Sequence, residues 1–209
     1  MTPYYDHKGI TIYHGDCREI IPYLEPVNLV LTDPPYNVGI DFGKNTNDLM
    51  PPDQYEEWCL SWFEMFQSHG ILLTPGIGNL GMWMKKNPRW IIAWVKDNSM
   101  KRITIGFNCW EPILLWGQVE TKLYRDVIVI PTIPQLKGHP TPKPLKLFSK
   151  LIDGFSNGTV LDPFLGSGTT LVAAKQLNRK AIGIEIEEKY CEMAARRLSQ
   201  EVFEFNKST

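Results

Sequence analysis

Residues 160–177 of the chain read VLDPFLGSGTTLVAAKQL, which places a short apolar run, two closely spaced glycines and a helical pattern in direct succession. The apolar run has the length of a buried strand, and the residues from Thr169 onward have helical spacing. Gly166 and Gly168 permit a tight turn, so that a ligand can approach backbone N–H groups at the positive end of the helix. A strand, a glycine loop and a helix in this order are typical of an α/β fold.

The rest of the chain repeats this alternation of strand-length apolar runs with longer amphipathic segments, which again indicates an α/β protein. The 209 residues can bury one good core, and we expect a single domain over residues 1–209. We predict strands over 11–14, 28–32, 71–74, 90–95, 112–116, 127–130, 159–161 and 181–185, and helices over 54–68, 144–155, 169–177 and 187–203.

Charge and cysteine content limit the kinds of partner and compartment. The formal net charge is -1, so any polyanion must be met by a local basic patch. The N-terminus has no basic head followed by an apolar stretch, and no run of about 18 apolar residues occurs, which predicts a cytoplasmic protein without membrane contact. The cysteines are widely spaced and form no CxxC pair, so we expect reduced thiols and no metal site; they are Cys17, Cys59, Cys109 and Cys191.

The glycine loop points to a particular kind of nucleotide. The next predicted strand ends in Glu185, at the distance along the chain where an acid holds a ribose diol. Thr169 stands where a Walker loop needs lysine, and Leu171 where the dinucleotide fingerprint needs glycine or alanine. A cationic, phosphate-free adenosine ligand fits this pattern, although glycines kept for packing alone would give a similar loop.

A second strand-end loop, residues 31–38, reads LTDPPYNV. Two consecutive prolines fix two φ angles, so Asp33 and Tyr36 are held on a rigid elbow. The Asp33 carboxylate, the Pro34 carbonyl and the Tyr36 ring together suit a planar amine, because they offer two acceptors for its N–H groups and a face for its ring. These acceptors would stabilise the amine most in the transition state of its attack. A simple turn with a core tyrosine is the alternative.

Together the two loops resemble those of the amino-methyltransferases that modify adenine N6 or cytosine N4 in DNA with S-adenosylmethionine. The catalytic motif of that family, (D/N/S)PP(Y/F/W), matches Asp33, Pro34, Pro35 and Tyr36. Its cofactor motif, DPFxGxGTT, matches Asp162, Pro163, Phe164, Gly166, Ser167, Gly168, Thr169 and Thr170. The catalytic motif comes first in this chain, which is the circularly permuted order of the β-class.

The resemblance extends to three further segments. Residues 138–145 resemble the HPTxKP motif, which implies that His139, Thr141 and Lys143 lie at the methionine end of the cofactor. Residues 14–17 resemble the segment ahead of the catalytic strand, and Asp16 and Cys17 would lie near the cofactor adenine. Residues 110–118 resemble a strand near the target base. The residues named in the first two of these segments complete the implied cofactor site, together with the glycine motif, Asp33 and Glu185.

The fold that the resemblance implies is the class I S-adenosylmethionine-dependent methyltransferase fold in permuted order. It is Rossmann-like and doubly wound, with a seven-stranded, mostly parallel sheet and an antiparallel edge hairpin. Residues 1–116 would form the catalytic half and residues 138–209 the cofactor-binding half. Residues 117–137 are left as a short recognition insert, so sequence selectivity would be low, or supplied by short loops or by the partner in a homodimer.

The implied substrate is double-stranded DNA with its target base flipped out of the duplex. A local basic cluster is a candidate for contacts with DNA phosphates; it comprises Lys85, Lys86, Arg89, Lys96, Lys101 and Arg102. The alternative is that these side chains only keep the surface soluble.

Other reactions are disfavoured to different degrees. Asp33 favours adenine N6 modestly over cytosine N4, and it argues mildly against a protein amide; RNA is a further alternative substrate. Cytosine C5 chemistry would need a nucleophilic cysteine, typically after a proline, and no cysteine here follows one. A non-catalytic cofactor- or DNA-binding module would not need both loops intact.

Overall fold

The computed structural model describes residues 1–46, 48–66, 69–99, 102–103, 106–122, 125–133 and 143–200. The strands are β1 Tyr5–His7, β2 Ile10–His14, β3 Leu29–Thr32, β4 Gly70–Leu73, β5 Trp90–Val95, β6 Arg102–Ile103, β7 Gly106–Phe107, β8 Trp110–Trp116, β9 Val127–Val129, β10 Val160–Asp162 and β11 Ala181–Glu185. The helices are α1 Cys17–Ile20, α2 Pro52–Phe63, α3 Leu80–Met84, α4 Leu145–Phe155, α5 Thr169–Gln176 and α6 Glu188–Ser199.

Nine of these strands form one sheet in the order β1-β2-β11-β10-β3-β4-β8-β5-β9. From β2 to β4 the neighbours are parallel, whereas β8 runs antiparallel to both β4 and β5. The predicted mostly parallel sheet with an antiparallel hairpin is therefore confirmed. Within the described ranges the sheet has nine strands and not the expected seven, because β1 extends one edge and β9 pairs with β5 at the other.

Helices cover the sheet on both faces, as the doubly wound prediction requires. Every residue of β3 and β4 is buried, which is typical of parallel strands with helices on each side. One core cluster contains apolar side chains of α4, α5 and α6, including Leu151 and Leu171. The other contains side chains of α2 and α3, including Trp62 and Trp83. These two layers fix the strand ends on which the site is built.

The predicted elements differ from the observed ones mostly at their ends. The helix predicted over 54–68 begins at Pro52, where proline suits a first turn, and ends at Phe63 before a 3₁₀ turn over Glu64–Phe66. Residues 67–68 and 201–203, also predicted as helical, lie outside the described residues. Five of the described elements were not predicted because they are too short for a periodic pattern; they are β1, α1, α3, β6 and β7.

Within the described part of the chain, no helix is long and apolar enough to cross a membrane. The same residues contain no group of three or more histidine, cysteine, aspartate or glutamate side chains placed to hold a metal ion. All four cysteines are free thiols, and three of them are buried.

Candidate active site

Asp33 follows β3 directly and stands at the carboxyl edge of the parallel strands. Its Oδ1 accepts hydrogen bonds from the Tyr36 hydroxyl and, at 2.5 Å, from Thr74 Oγ1. Its Oδ2 lies 2.6 Å from Lys143 Nζ, which also donates to the Tyr36 hydroxyl oxygen at 3.0 Å. The carboxylate is thus held by three donors from three separate segments.

The Asp33–Lys143 pair is largely buried, with 21% and 10% of the two side chains exposed. Burial opposes the charge of Lys143, but the combined effects of Asp33, Tyr36 and Glu111 outweigh it, so the pKa of Lys143 is raised above its usual value. Burial, together with the neighbouring Asp33 charge, raises the pKa of the Tyr36 phenol. Tyr36 therefore remains a neutral donor and Lys143 an ammonium at neutral pH.

The backbone of the DPPY turn is supported from outside the turn. The Tyr55 hydroxyl donates to the Pro35 carbonyl at 2.8 Å, and Asn79 Nδ2 donates to the Tyr36 carbonyl at 2.9 Å. The Pro34 carbonyl, in contrast, has no hydrogen-bond donor among the described residues. One backbone acceptor beside Asp33 is therefore left for a ligand.

A glycine after β4 sets the position of the Tyr36 ring. A Cβ placed on Gly76 would come within 2.8 Å of Tyr36 Cδ2, and the backbone of Gly76 has a φ of +69°. A side chain there would be strained and would push the ring.

The segment after the motif folds over the site through Asp48. This buried carboxylate accepts from the backbone N–H groups of Asn37, Val38 and Ile40 at 2.6, 3.1 and 2.8 Å. The same segment is anchored at its other end, where the Asn45 N–H donates to Glu187 Oε1 at 2.5 Å. The loop is thus tied both to itself and to the start of α6.

The second loop follows β10, and Asp162 holds it in shape. Asp162 Oδ1 accepts from Thr32 Oγ1 at 2.9 Å and from the Phe164 N–H at 3.1 Å, while Oδ2 accepts from Thr170 Oγ1 at 2.5 Å. Burial raises the pKa of Asp162 to about 6 despite these hydrogen bonds. Because β3 and β10 are neighbours, the Thr32 contact joins the two loops directly.

The two glycines of this loop have different surroundings. Gly166 has a φ of +53° and its N–H donates to Glu185 Oε2 at 2.7 Å. Gly168 has a φ of +84°, and a Cβ on it would lie 2.7 Å from the Cβ of Ala194 in α6. Gly166 lines the cavity between the loops, whereas Gly168 does not, so Gly168 serves the approach of α6.

Glu185 ends β11 and faces the glycine loop. Its Oε2 accepts from Gly166, and its Oε1 accepts from the Glu187 N–H at 2.9 Å. Burial raises the pKa of Glu185 to about 7, against the effect of both backbone donors. The carboxylate is therefore poised to change its charge near neutral pH.

A cavity of about 320 Å³ lies between the two loops, within the size range of small-molecule sites. The structure brings most of the predicted site residues to its wall: Asp16, Cys17, Asp33, Pro34, Pro35, Tyr36, Lys143, Asp162, Pro163, Phe164, Gly166, Ser167, Thr169, Thr170 and Glu185. Two further predicted residues, His139 and Thr141, lie outside the described residues.

Several wall residues were missed from the sequence. Trp58 of α2 is one of them, with its ring centroid 5.4 Å from that of Phe164. It looked like a core residue because it lies on an amphipathic helix. Arg18 also lines the cavity and pairs with Asp16 at 2.5 Å, and this hydrogen bond lowers the pKa of Asp16. The sequence contains a signal for Asp16 but none for its partner.

The described side chains of the predicted basic cluster do not lie together at this edge of the sheet. Lys96 is buried in an ion pair with Glu111. Lys85 and Lys86 pair with glutamates of α2 and of the turn after it, and Arg89 contacts Gly117 beyond the far end of β8. Lys101 lies outside the described residues, as does the side chain of Arg102.

Comparison with known proteins identifies relatives of the chain. The family model for DNA methylases matches residues 94–196. The type II methyltransferase M.HpaI of Haemophilus parainfluenzae is 30% identical, over 84% of this chain and 69% of that protein. The type II methyltransferase M2.MboI of Moraxella bovis is 26% identical, over 94% of this chain and 91% of that protein.

Solved structures agree in fold. A crystal structure of an M1.HpyAVI–SAM complex is 29% identical, with a TM-score of 0.67, and covers 91% of this chain and 100% of that one. The cytosine-N4-specific PvuII DNA methyltransferase has the same fold, at 18% identity and a TM-score of 0.74, over 99% of this chain and 90% of that one. The chain therefore belongs to the DNA methylase family of N6- and N4-amino-methyltransferases.

Proposed function

We propose that the chain transfers a methyl group from S-adenosylmethionine to an exocyclic amine of a flipped DNA base, with adenine N6 as the preferred acceptor. The observation that carries the proposal is that two adjacent acceptors, the Asp33 carboxylate and the Pro34 carbonyl, lie at the wall of the cavity that the glycine loop also lines. The Pro34 carbonyl has no donor among the described residues. Membership of the DNA methylase family supports DNA as the substrate.

Asp33 and Pro34 would hold the amine through its two N–H groups. The lone pair of an exocyclic amine is delocalised into the base, so the free amine is a weak nucleophile. Hydrogen bonds to a carboxylate and a carbonyl stabilise the positive charge that develops on nitrogen during attack, and they are strongest in the transition state. The stacking partner for the base would be Tyr36, whose ring is held by Gly76.

The cavity residues fit S-adenosylmethionine, which when bound supplies an electrophilic methyl group on a sulfonium. Glu185 has carboxylate oxygens at the cavity wall to accept from ribose hydroxyls, and Gly166 lets the ligand approach the backbone. Trp58 and Phe164 offer aromatic surface to a cationic ligand. The relative with a solved SAM complex supports this assignment.

Fewer residues of the proposed recognition insert, residues 117–137, can contact DNA than its sequence length suggests. It contains β9, which is part of the main sheet. The remaining residues leave little chain for base contacts, which supports short loops or a partner subunit as the source of selectivity.

Methyl transfer onto DNA tests the proposal. Purified protein would be incubated with tritiated S-adenosylmethionine and unmethylated DNA, and the product digested to nucleosides and identified by mass spectrometry. We expect N6-methyladenine; N4-methylcytosine would instead support the alternative base. Label on RNA or protein in parallel incubations, with none on the DNA, would refute DNA as the substrate. Sequencing of the methylated positions would give the target site.

A further inference from the structure

Lys143 occupies the groups that the target amine is proposed to use. Its Nζ lies 2.6 Å from Asp33 Oδ2, 3.0 Å from the Tyr36 hydroxyl and 5.0 Å from the centroid of the Tyr36 ring. Methyl transfer places a positive charge on the amine nitrogen, and an ammonium on the same carboxylate would repel it. Lys143 therefore has to leave Asp33 before the amine can be stabilised there.

A buried carboxylate oxygen without a hydrogen-bond partner among the described residues is available to accept the Lys143 ammonium. Glu111 Oε1 lies 2.8 Å from the buried Lys96 Nζ, whereas Glu111 Oε2 is buried with no hydrogen-bond partner among the described residues. An unpaired buried carboxylate oxygen is costly, so such a group in a native protein calls for an explanation. Glu111 thus pairs with Lys96 through Oε1, and its Oε2 is an acceptor that no described donor contacts.

The strand register places Glu111 on the catalytic side. β8 runs antiparallel to β4, with Leu73 opposite Leu114, so the residues of β8 before Leu114 lie beyond the carboxyl end of β4. Asp33, which follows the neighbouring parallel strand β3, stands at the same edge. The charge of Glu111 also raises the pKa of both Tyr36 and Lys143, as expected of a group close to both.

We propose that Glu111 is a positioning residue that accepts the Lys143 ammonium when the target amine takes its place on Asp33. This role rests on the proposed function and extends it by naming where the lysine goes. Before the exchange, Lys96 pairs with Glu111 and Lys143 with Asp33. After it, both lysines share Glu111, and the negative charge of Asp33 is left for the amine.

A double-mutant cycle on Glu111 and Lys143 tests this role. Glu111→Gln keeps a carbonyl oxygen for Lys96 but replaces the spare acceptor with an amide NH₂. We expect Glu111→Gln to lower kcat by about tenfold or more with an unchanged affinity for S-adenosylmethionine, and to change kcat by less than about twofold in the Lys143→Met background. Glu192→Gln, an exposed substitution on α6, is the matched control and should behave as the wild type.

Two further measurements keep the test decisive. If Lys143→Met transfers too slowly to measure, docking of the intact target base is followed instead by the fluorescence of 2-aminopurine placed next to it in the DNA. We then expect Glu111→Gln to weaken docking when Lys143 is present and to leave it unchanged in the Lys143→Met background. Glu111→Asp, which keeps the carboxylate, should transfer faster than Glu111→Gln when Lys143 is present and no faster in the Lys143→Met background.

The outcomes separate the two proposals. Independent, multiplicative effects of the two substitutions, or a Glu111→Gln variant as fast as the wild type, would overturn the role of Glu111. A wild-type protein that methylates no DNA would instead overturn the proposed function.

Discussion

Glu185 should make the affinity for S-adenosylmethionine depend on pH. Its pKa is raised to about 7 by burial, so close to neutral pH it exchanges between a carboxyl and a carboxylate. A carboxylate can accept from both ribose hydroxyls, whereas the protonated form has lost part of its acceptor capacity. We therefore expect the ionised form to be the one that binds.

The size of the effect follows from the ionised fraction. With a pKa of about 7, roughly a tenth of the molecules are ionised at pH 6 and roughly nine tenths at pH 8. Because the apparent dissociation constant equals the intrinsic constant divided by the competent fraction, the affinity should rise about tenfold over this interval. Titration calorimetry at several pH values measures it directly.

The stability of the ligand-free protein should change in the opposite direction. A carboxyl whose pKa is higher in the folded state than in the unfolded chain binds more protons when folded. Its favourable contribution is present at pH values below the unfolded pKa, and it is lost as pH rises through about 7. The shift from 4.5 to about 7 corresponds to a loss of about 3 kcal/mol from this group.

The Glu185→Gln substitution tests whether the Glu185 carboxyl causes this pH dependence, because it removes the titrating group. This variant should bind S-adenosylmethionine with a flat profile between pH 6 and pH 8, and Glu192→Gln should keep the wild-type slope. A flat wild-type profile, or a Glu185→Gln variant with the wild-type slope, would refute the assignment of Glu185 as the titrating ligand-binding group.

Four other predictions follow from the site. Asp33→Ala should lower transfer by about 10² or more while cofactor affinity stays within a few-fold; loss of cofactor binding in calorimetry would make Asp33 a cofactor or structural residue. Gly76→Ala should displace the Tyr36 ring and slow single-turnover transfer at least about tenfold, and an unchanged rate would contradict this packing. Gly168→Ala should destabilise the fold by about 1–3 kcal/mol in chemical denaturation, with partial recovery on Ala194→Gly; no recovery would remove the α6 contact as the cause. DNA affinity should fall steeply between low and moderate salt, and a flat response would argue against a nucleic-acid substrate.

The sequence was most informative where a pattern has one structural meaning. The strand over Ala181–Glu185 was predicted with its observed ends because an apolar run there stops at a charged residue. The closeness of the two motif loops could be expected as well, since parallel strands present their carboxyl ends at one edge. Strand order supplied the detail that sequence could not, namely that β3 and β10 are direct neighbours.

The contacts within the site were beyond prediction from spacing. Lys143 was expected at the cofactor because of its motif, yet its ammonium lies on Asp33, which is 110 residues away in the chain. Lys96 was placed in a basic surface because lysine is usually exposed, and its partner Glu111 was not recognised. Pairings of this kind depend on the path of the chain between elements, which local patterns do not contain.

The order of strands across the sheet also affects how this chain can fold as it leaves the ribosome. β10 and β11 are made late, yet they lie between β2 and β3, which are made early. A nascent chain that ends before residue 160 therefore has two strand edges that face each other across a gap and lack their partners. We expect such a chain to remain open and to need protection from aggregation until the last quarter of the sequence closes the sheet.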